Sequence, residues 1–271
     1  MMTLDINILK DPTIYEQNRL AHHADFVAYA TEAEADKKES SLRMSLNGIW
    51  KFAYAVNPAG AIPDFEKPEF NCHTWSEIRV PAHIQMEGYD KPQYANVQYP
   101  WEGWQELANG ELPEDFNPVA SYVKYFRLPQ GWSGQHVCIS FQGVESAFAL
   151  WLNGHYVGYA EDSFDPSEFD LTPYLTDGEN KLAVQVYKWC AGSWCEDQDF
   201  FRFSGIYRDV YLFLVPQASI YDYKVDAAVD DSYTRGTLRV TIKGEGAGSV
   251  RAGFEGFGLA MEQQTALGTD A

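Results

Sequence analysis

Short runs of alternating apolar and polar residues recur along most of this chain, and that period of two predicts strands. From Ser41 the text SLRMSLNGIWKFAYA gives two such runs separated by Asn47-Gly48, the second with Ile49, Trp50, Phe52 and Tyr54 as its apolar positions. Asparagine followed by glycine between apolar runs predicts a hairpin, because both residues tolerate the left-handed backbone of a tight turn. A brief strand over residues 78–80 stops at Pro81. The alternation resumes in SYVKYFRLP, HVCISFQGV, AFALWLNGHYVGYA and KLAVQVYKW, with a second hairpin signal at Asn153-Gly154. DSFDPSEFDLTPYLTDGENKL predicts a short helical turn capped by aspartate or serine, then a loop ending at Asp177-Gly178. Strands spaced by about 8–12 residues with hardly any helix predict a β-sandwich, and eight or so with long cross-connections suit a jelly roll.

The two ends read differently. Residues 1–41 have a turn start at Asp11-Pro12, scattered apolar positions without a clean period, and a charged stretch, ATEAEADKKESS, that is either a short helix or a solvated link. Adjacent His22 and His23 point apart on a helix or a strand, which favours a surface or interface role over a shared metal. After Pro216 the apolar pattern thins. SIYDYKVDAAVDD, GTLRVTIKGEG and SVRAGFEGFG give three more strands, and the last ten residues show no pattern. The expected organisation is an extended arm over 1–41, a jelly-roll domain over 42–217 and an incomplete second sandwich over 218–271.

Between the strands lie two stretches with chemistry. Residues 185–214 run from a strand ending in Val184, Val186, Tyr187 and Trp189 through a break at Ala191-Gly192-Ser193. Glu196, Asp197 and Asp199 follow, then Phe200, Phe201, Arg202 and Phe203, a turn at Ser204-Gly205 and a further strand from Arg208 to Leu214. Acids set among aromatics need hydrogen-bonding or charged partners, for which Arg202 and Arg208 are candidates. Two readings stand: an arginine–carboxylate lattice that staples two strands, or a polar mouth whose acids hold sugar hydroxyls or a cation. The second stretch follows Pro81 and carries Tyr89, Tyr94, Tyr99, Trp101 and Trp104. It is too aromatic for a mobile loop, and reads as an ordered binding loop or as a lid over a core edge.

Composition narrows the partners. A hydrophobic fraction of 45% in 271 residues builds a sizeable core and argues against disorder. The net charge of −19 disfavours nucleic acid and anionic membranes, while a neutral sugar is indifferent to it. Cys72, Cys138, Cys190 and Cys195 are too few for a disulfide scaffold. Cys190 and Cys195 are close enough to pair or share a metal, but free thiols in a reducing cytoplasm fit better. The amino-terminal segment lacks the apolar region of a signal peptide, and no apolar run reaches the roughly 20 residues of a membrane span.

Catalytic templates find little. Glycoside hydrolysis uses two carboxylates about 5–9.5 Å apart, which Glu196, Asp197 and Asp199 supply only locally. Ser146, Ser163 and Ser204 lack the G-x-S-x-G setting, and there is neither a glycine-rich phosphate loop nor an H-E-x-x-H helix. The residues describe recognition rather than reaction.

EDQDFFRFSGIYRDV resembles the EDQD-x-x-R-x-SGI-x-RDV segment of bacterial β-galactosidases of glycoside hydrolase family 2. The likeness continues through EQNRL, SLNGIWKFAY, VPAHIQMEGYDKPQYANVQYP, SFQGVESAFALWLNGHYVGYAEDSFDPSEFDL and GENKLAVQVYKW. It implies an all-β chain, a jelly-roll sugar-binding β-sandwich of the galactose-binding-domain type followed by a partial immunoglobulin-like β-sandwich. It also implies that the catalytic TIM barrel lies beyond Ala271, with the nucleophile, the acid/base glutamate and the magnesium ligands of the full-length enzyme. The arm matches the family's extended leader, which helps assemble subunits, so the intact protein is expected to be a homo-oligomer.

By the same resemblance Asn96, with Val97 beside it in YANVQYP, reaches into the active site, and Asp199 contacts a galactose hydroxyl and coordinates sodium. The expected function is the sugar-binding portion of an enzyme hydrolysing terminal β-D-galactosides with retention, in the cytoplasm. The alternatives are a stand-alone carbohydrate-binding module and a non-catalytic assembly fragment. β-Glucuronidases share the architecture, but EDQD and YANVQYP favour a galactosidase. The segment WEGWQELANGELPEDFNP departs from the family pattern, so specificity drawn from that loop does not transfer.

Overall fold

The computed structural model describes residues 4–196, 199–256 and 258–267. The chain divides into two units, Met1–Leu20 with Ser41–Leu214, and Ala21–Ser40 with Val215–Ala271. Among the described residues no helix is long and apolar enough to cross a membrane.

The first unit begins with β1 (Glu16–Gln17), β2 (Arg43–Ser45), β3 (Gly48–Ala55), β4 (Ser76–Val80) and β5 (Tyr94–Ala95). It continues through β6 (Val119–Phe126), β7 (Val137–Phe141), β8 (Val144–Glu145), β9 (Ala147–Leu152) and β10 (His155–Ala160). β11 (Ser167–Asp170), β12 (Asn180–Tyr187), β13 (Phe200–Phe201), β14 (Gly205–Ile206) and β15 (Val210–Leu214) complete it. One sheet runs β1-β10-β9-β12-β6-β3-β4 and the other β11-β7-β15-β2, and two short ribbons pair β13 with β5 and β14 with β8. This is the jelly-roll sandwich that the strand spacing predicts.

The larger sheet is covered on both faces. Along β9, Phe148, Leu150 and Leu152 join the core cluster that also takes Val137, Ile139 and Phe141 from the opposite sheet. The alternate residues Ala147, Ala149 and Trp151 join a second cluster with Ile8, Leu9, Phe65 and Trp101. A strand buried on both sides needs apolar residues at every position, which is why AFALWL is unbroken.

The two Asn-Gly signals end differently. Asn153 (φ 52°) and Gly154 (φ 82°) turn β9 into β10 as a hairpin. Asn47-Gly48 is not a hairpin, because β2 pairs with β15 while β3 pairs with β4 and β6 in the other sheet. The Asn47 side chain accepts from Val210 N and donates to Asp209 Oδ1, each at 2.9 Å, which fixes β2 to the start of β15 as the chain crosses over. The short helical turn is the 3-10 turn Thr172–Tyr174, which follows strand β11 (Ser167–Asp170). Leu171 at its start has no capping side chain, and Asp170 Oδ1 instead accepts from Thr172 N at 2.9 Å.

Among its described residues the second unit contains helix α1 (Glu32–Lys37), started by the Thr31 side chain, and four strands rather than three. β16 (Ser219–Val229) pairs with β17 (Gly236–Glu245), and β18 (Gly248–Gly256) with β19 (Leu259–Leu267). Backbone pairing carries β19 through a segment whose side chains show no apolar period. Residues 21–40 lie along this unit: Ala24 N donates to Asp222 Oδ1 at 3.0 Å, and Arg251 pairs with Glu32 at 3.3 Å.

Candidate functional site

The β5–β13 ribbon is where the separate stretches meet. Phe200 pairs with Ala95 and Phe201 with Tyr94, and Arg202 N donates to Gln93 O at 2.7 Å. Asn96 and Asp199 each lie one residue beyond the Ala95–Phe200 pair that ends this ladder. The Tyr94 hydroxyl donates to Asp199 Oδ1. That bond, with some burial and the Asp199 charge, pushes the Tyr94 phenol up from its ordinary value.

Asp199 lines a cleft of about 430 Å³ together with Tyr94, Phe164, Phe203, His83 and Glu145. One wall is a column of stacked rings. Phe201 lies 5.5 Å from Phe203, Phe203 lies 4.5 Å from the His83 imidazole, and His83 lies 4.8 Å from Tyr207. Burial lowers the His83 pKa, which favours the neutral ring. Its Nδ1 is 3.9 Å from Glu145 Oε2. Aromatic faces beside carboxylates suit a sugar, whose C–H face packs on rings while its hydroxyls donate to oxygens.

A buried polar network sets the ribbon in place. Gln85 Nε2 donates to Ser204 Oγ and Asp90 Oδ2, both at 2.9 Å, and Ser204 N returns a bond to Gln85 Oε1 at 3.0 Å. Asp90 pairs with Lys188 at 2.5 Å, with side chains only 5% and 1% exposed. Burial pulls the Lys188 ammonium down and the Asp90 charge opposes it. Gly205 follows at φ 111°, where a Cβ would meet Ile84 and the Tyr122 hydroxyl at 2.9 Å.

Of the described acids, Asp199 and Glu196 have separate settings. Asp199 faces the cleft, Glu196 Oε2 accepts from Ser163 Oγ at 3.5 Å, and Asp197 lies outside the described residues. The lattice reading is revised in part: Arg208 donates to the Phe164 carbonyl at 2.7 Å, and the hydroxyl on Asp199 comes from Tyr94. Asn96 and Val97 are exposed beside the ribbon, Val97 at 88%.

The aromatic loop divides between its two readings. Tyr94 lines the cleft, whereas Trp101 is 1% exposed in the core beside Trp189 and Trp194, and Tyr89 packs on Phe52. His83, Glu145, Phe164 and Tyr207 escaped the reading of the sequence, since no local spacing links them to Asp199. The thiols are free, with Cys195 exposed and Cys72, Cys138 and Cys190 buried.

Fold and site together define a jelly-roll β-sandwich with an aromatic, acid-bearing cleft beside the β5–β13 ribbon. Residues 43–216 match the family model described as "Glycosyl hydrolases family 2, sugar binding domain", and the chain belongs to that family. It is 53% identical over 240 residues to the β-galactosidase of Halalkalibacterium halodurans, covering 88% of this chain and 24% of that protein. It is 40% identical over 284 residues to the β-galactosidase large subunit of Leuconostoc lactis, covering 99% of this chain and 45% of the subunit. The chain thus spans under half the length of these relatives. The crystal structure of Bacteroides uniformis β-glucuronidase matches with a TM-score of 0.60 at 19% identity, over 83% of this chain and 26% of that one, and shares the fold.

Proposed function

We propose that this chain is the sugar-binding portion of a β-galactosidase that hydrolyses terminal β-D-galactosides of the lactose type with retention. Its cleft forms one side of an active site whose nucleophile and acid/base come from another part of the polypeptide or another subunit. The observation that carries this is the pairing of β5 with β13, which sets Tyr94 against Asp199 at the cleft. The identity with β-galactosidases over most of the chain supports the choice of sugar.

In this reading Asn96 and Asp199 bind substrate hydroxyls, with Val97 against the sugar. Asp199 also gives one carboxylate ligand to a sodium ion. A hard cation takes oxygen donors, and the Asp199 carboxylate at the cleft is such a donor, held by the Tyr94 hydroxyl. The bound ion would supply charge that holds substrate oxygens. Magnesium belongs with the catalytic groups.

The second unit supports assembly with further protein. Val225 and Val240 pair across β16 and β17, as do Ala227 and Leu238, and Val225, Val229, Leu238 and Val240 are 40–63% exposed. We read this apolar face as one side of an immunoglobulin-like sandwich. The free thiols fit a reducing compartment, and we place the protein in the cytoplasm.

The test is Asp199→Asn in the polypeptide that joins this chain to its catalytic portion, assayed on a nitrophenyl galactoside at varied sodium. The expected result is a raised KM and a flattened sodium response. Kinetics and sodium dependence equal to wild type refute the assignment.

A further inference from the structure

On the outer face of the smaller sheet, away from the cleft, three metal-ligating side chains converge. His136 precedes β7, and Cys138 follows two positions on, so both share the face opposite Val137 and Ile139, which enter the core. On the neighbouring strand Asp170 is the cross-strand partner of Cys138. Cys138 Sγ lies 3.6 Å from His136 Nε2, and His136 Nε2 lies 3.5 Å from Asp170 Oδ1. All three candidate ligand atoms fall within 4.8 Å of one another.

The S···N and N···O separations match two edges of a zinc tetrahedron. Bonds of about 2.3 Å to sulfur, 2.0–2.1 Å to nitrogen and 2.0–2.2 Å to oxygen give tetrahedral S···N edges of about 3.6 Å and N···O edges of about 3.3–3.5 Å. The thiol is fully buried, while the His136 and Asp170 side chains are 48% and 40% exposed. A cation from solvent meets imidazole and carboxylate first and the sulfur behind them.

We propose that His136, Cys138 and Asp170 form a three-ligand zinc site, the fourth position being filled by water. As the Zn–S bond forms, the thiol proton leaves to solvent. The ion would fasten β11, an end strand of its sheet, to β7. A water-bearing position makes the site exchangeable, unlike a closed four-ligand structural site.

The experiment is zinc titration of the full 271-residue chain against a chromophoric chelator, with cobalt(II) as a spectroscopic substitute. One equivalent of zinc is expected, with a thiolate-to-cobalt charge-transfer band and the intense d–d bands of four-coordination. His136→Ala, at an exposed position, leaves the sandwich intact and weakens binding by more than about a hundredfold, beyond the 10–100-fold that losing an outer-shell partner costs. Cys138→Ser removes the charge-transfer band, and Cys195→Ser leaves it unchanged. The proposal is overturned by no stoichiometric zinc, by a cobalt spectrum without the thiolate band, or by binding that survives His136→Ala. If Cys138→Ser does not fold, the cobalt spectrum and the His136→Ala titration still decide.

Discussion

Removing the Asp90 carboxylate tests whether the buried Lys188 pair holds the cleft in shape. With side chains 1% and 5% exposed and 2.5 Å between nitrogen and oxygen, the pair has little access to water. Asp90→Ala leaves an ammonium in the interior without its counter-charge, a change that destabilises by about 3–5 kcal/mol. With a urea slope of about 2 kcal/mol/M, the unfolding midpoint falls by about 1.5–2.5 M. The sign with pH is also fixed. Burial lowers the folded-state Lys188 pKa, so the unfolded chain binds the extra proton and stability rises with pH between the folded and unfolded values. Without Asp90 that pKa drops further, so the deficit is largest at neutral pH and shrinks as the medium becomes alkaline. Urea melts at a series of pH values, followed by tryptophan fluorescence, read both effects. Asp90→Ala/Lys188→Met removes the stranded charge and recovers much of the loss. A midpoint unchanged in Asp90→Ala, or a double variant no more stable than the single one, refutes the reasoning.

Two further perturbations bear on the same sandwich. Gly158→Ala places a Cβ 2.5 Å from Phe169 Cε1 and 2.6 Å from Gln17 O, and the latter is backbone that cannot swing aside. Overpacking of this kind destabilises by about 1–3 kcal/mol, and calorimetry should show a lower Tm; an unchanged Tm means the β1–β10 contact is looser than its geometry. His83→Phe keeps the ring column and deletes the titration. Burial holds the folded His83 pKa below the usual 6.5, so wild-type stability is fully present above 6.5 and is lost as pH falls through the folded value. The Tm–pH curve of His83→Phe should be flatter on that acid side, and parallel curves would show that the imidazole is not the titrating group.

Much of the cleft's position was legible from residues alone, and the reason is local. Asp199 stood out because carboxylates among four aromatics demand partners, and Asn96 because its segment resembles a family pattern. What those residues touch was not legible. Tyr94 reaches Asp199 across 105 positions of chain, and His83 approaches Glu145 across a gap of 62, since 145 − 83 = 62. The loop's Trp101 looked like a binding residue and is core, because aromatic character shows what a side chain gains from burial but not which surface buries it.

The alternation of side chains determined that the chain is a strand-built sandwich, and glycine after asparagine determined the turn at Asn153, since these are properties of a few neighbouring residues. Asn47-Gly48 carries the same local signal, yet Asp209 and Val210 capture the Asn47 side chain and send the two flanking strands to different sheets. Only the tertiary structure decided that crossing, the closure of the ring column and the meeting of His136 and Cys138 with Asp170. Each depends on side chains from distant strands competing for the same polar groups, and pattern along the chain carries no record of which competitor wins.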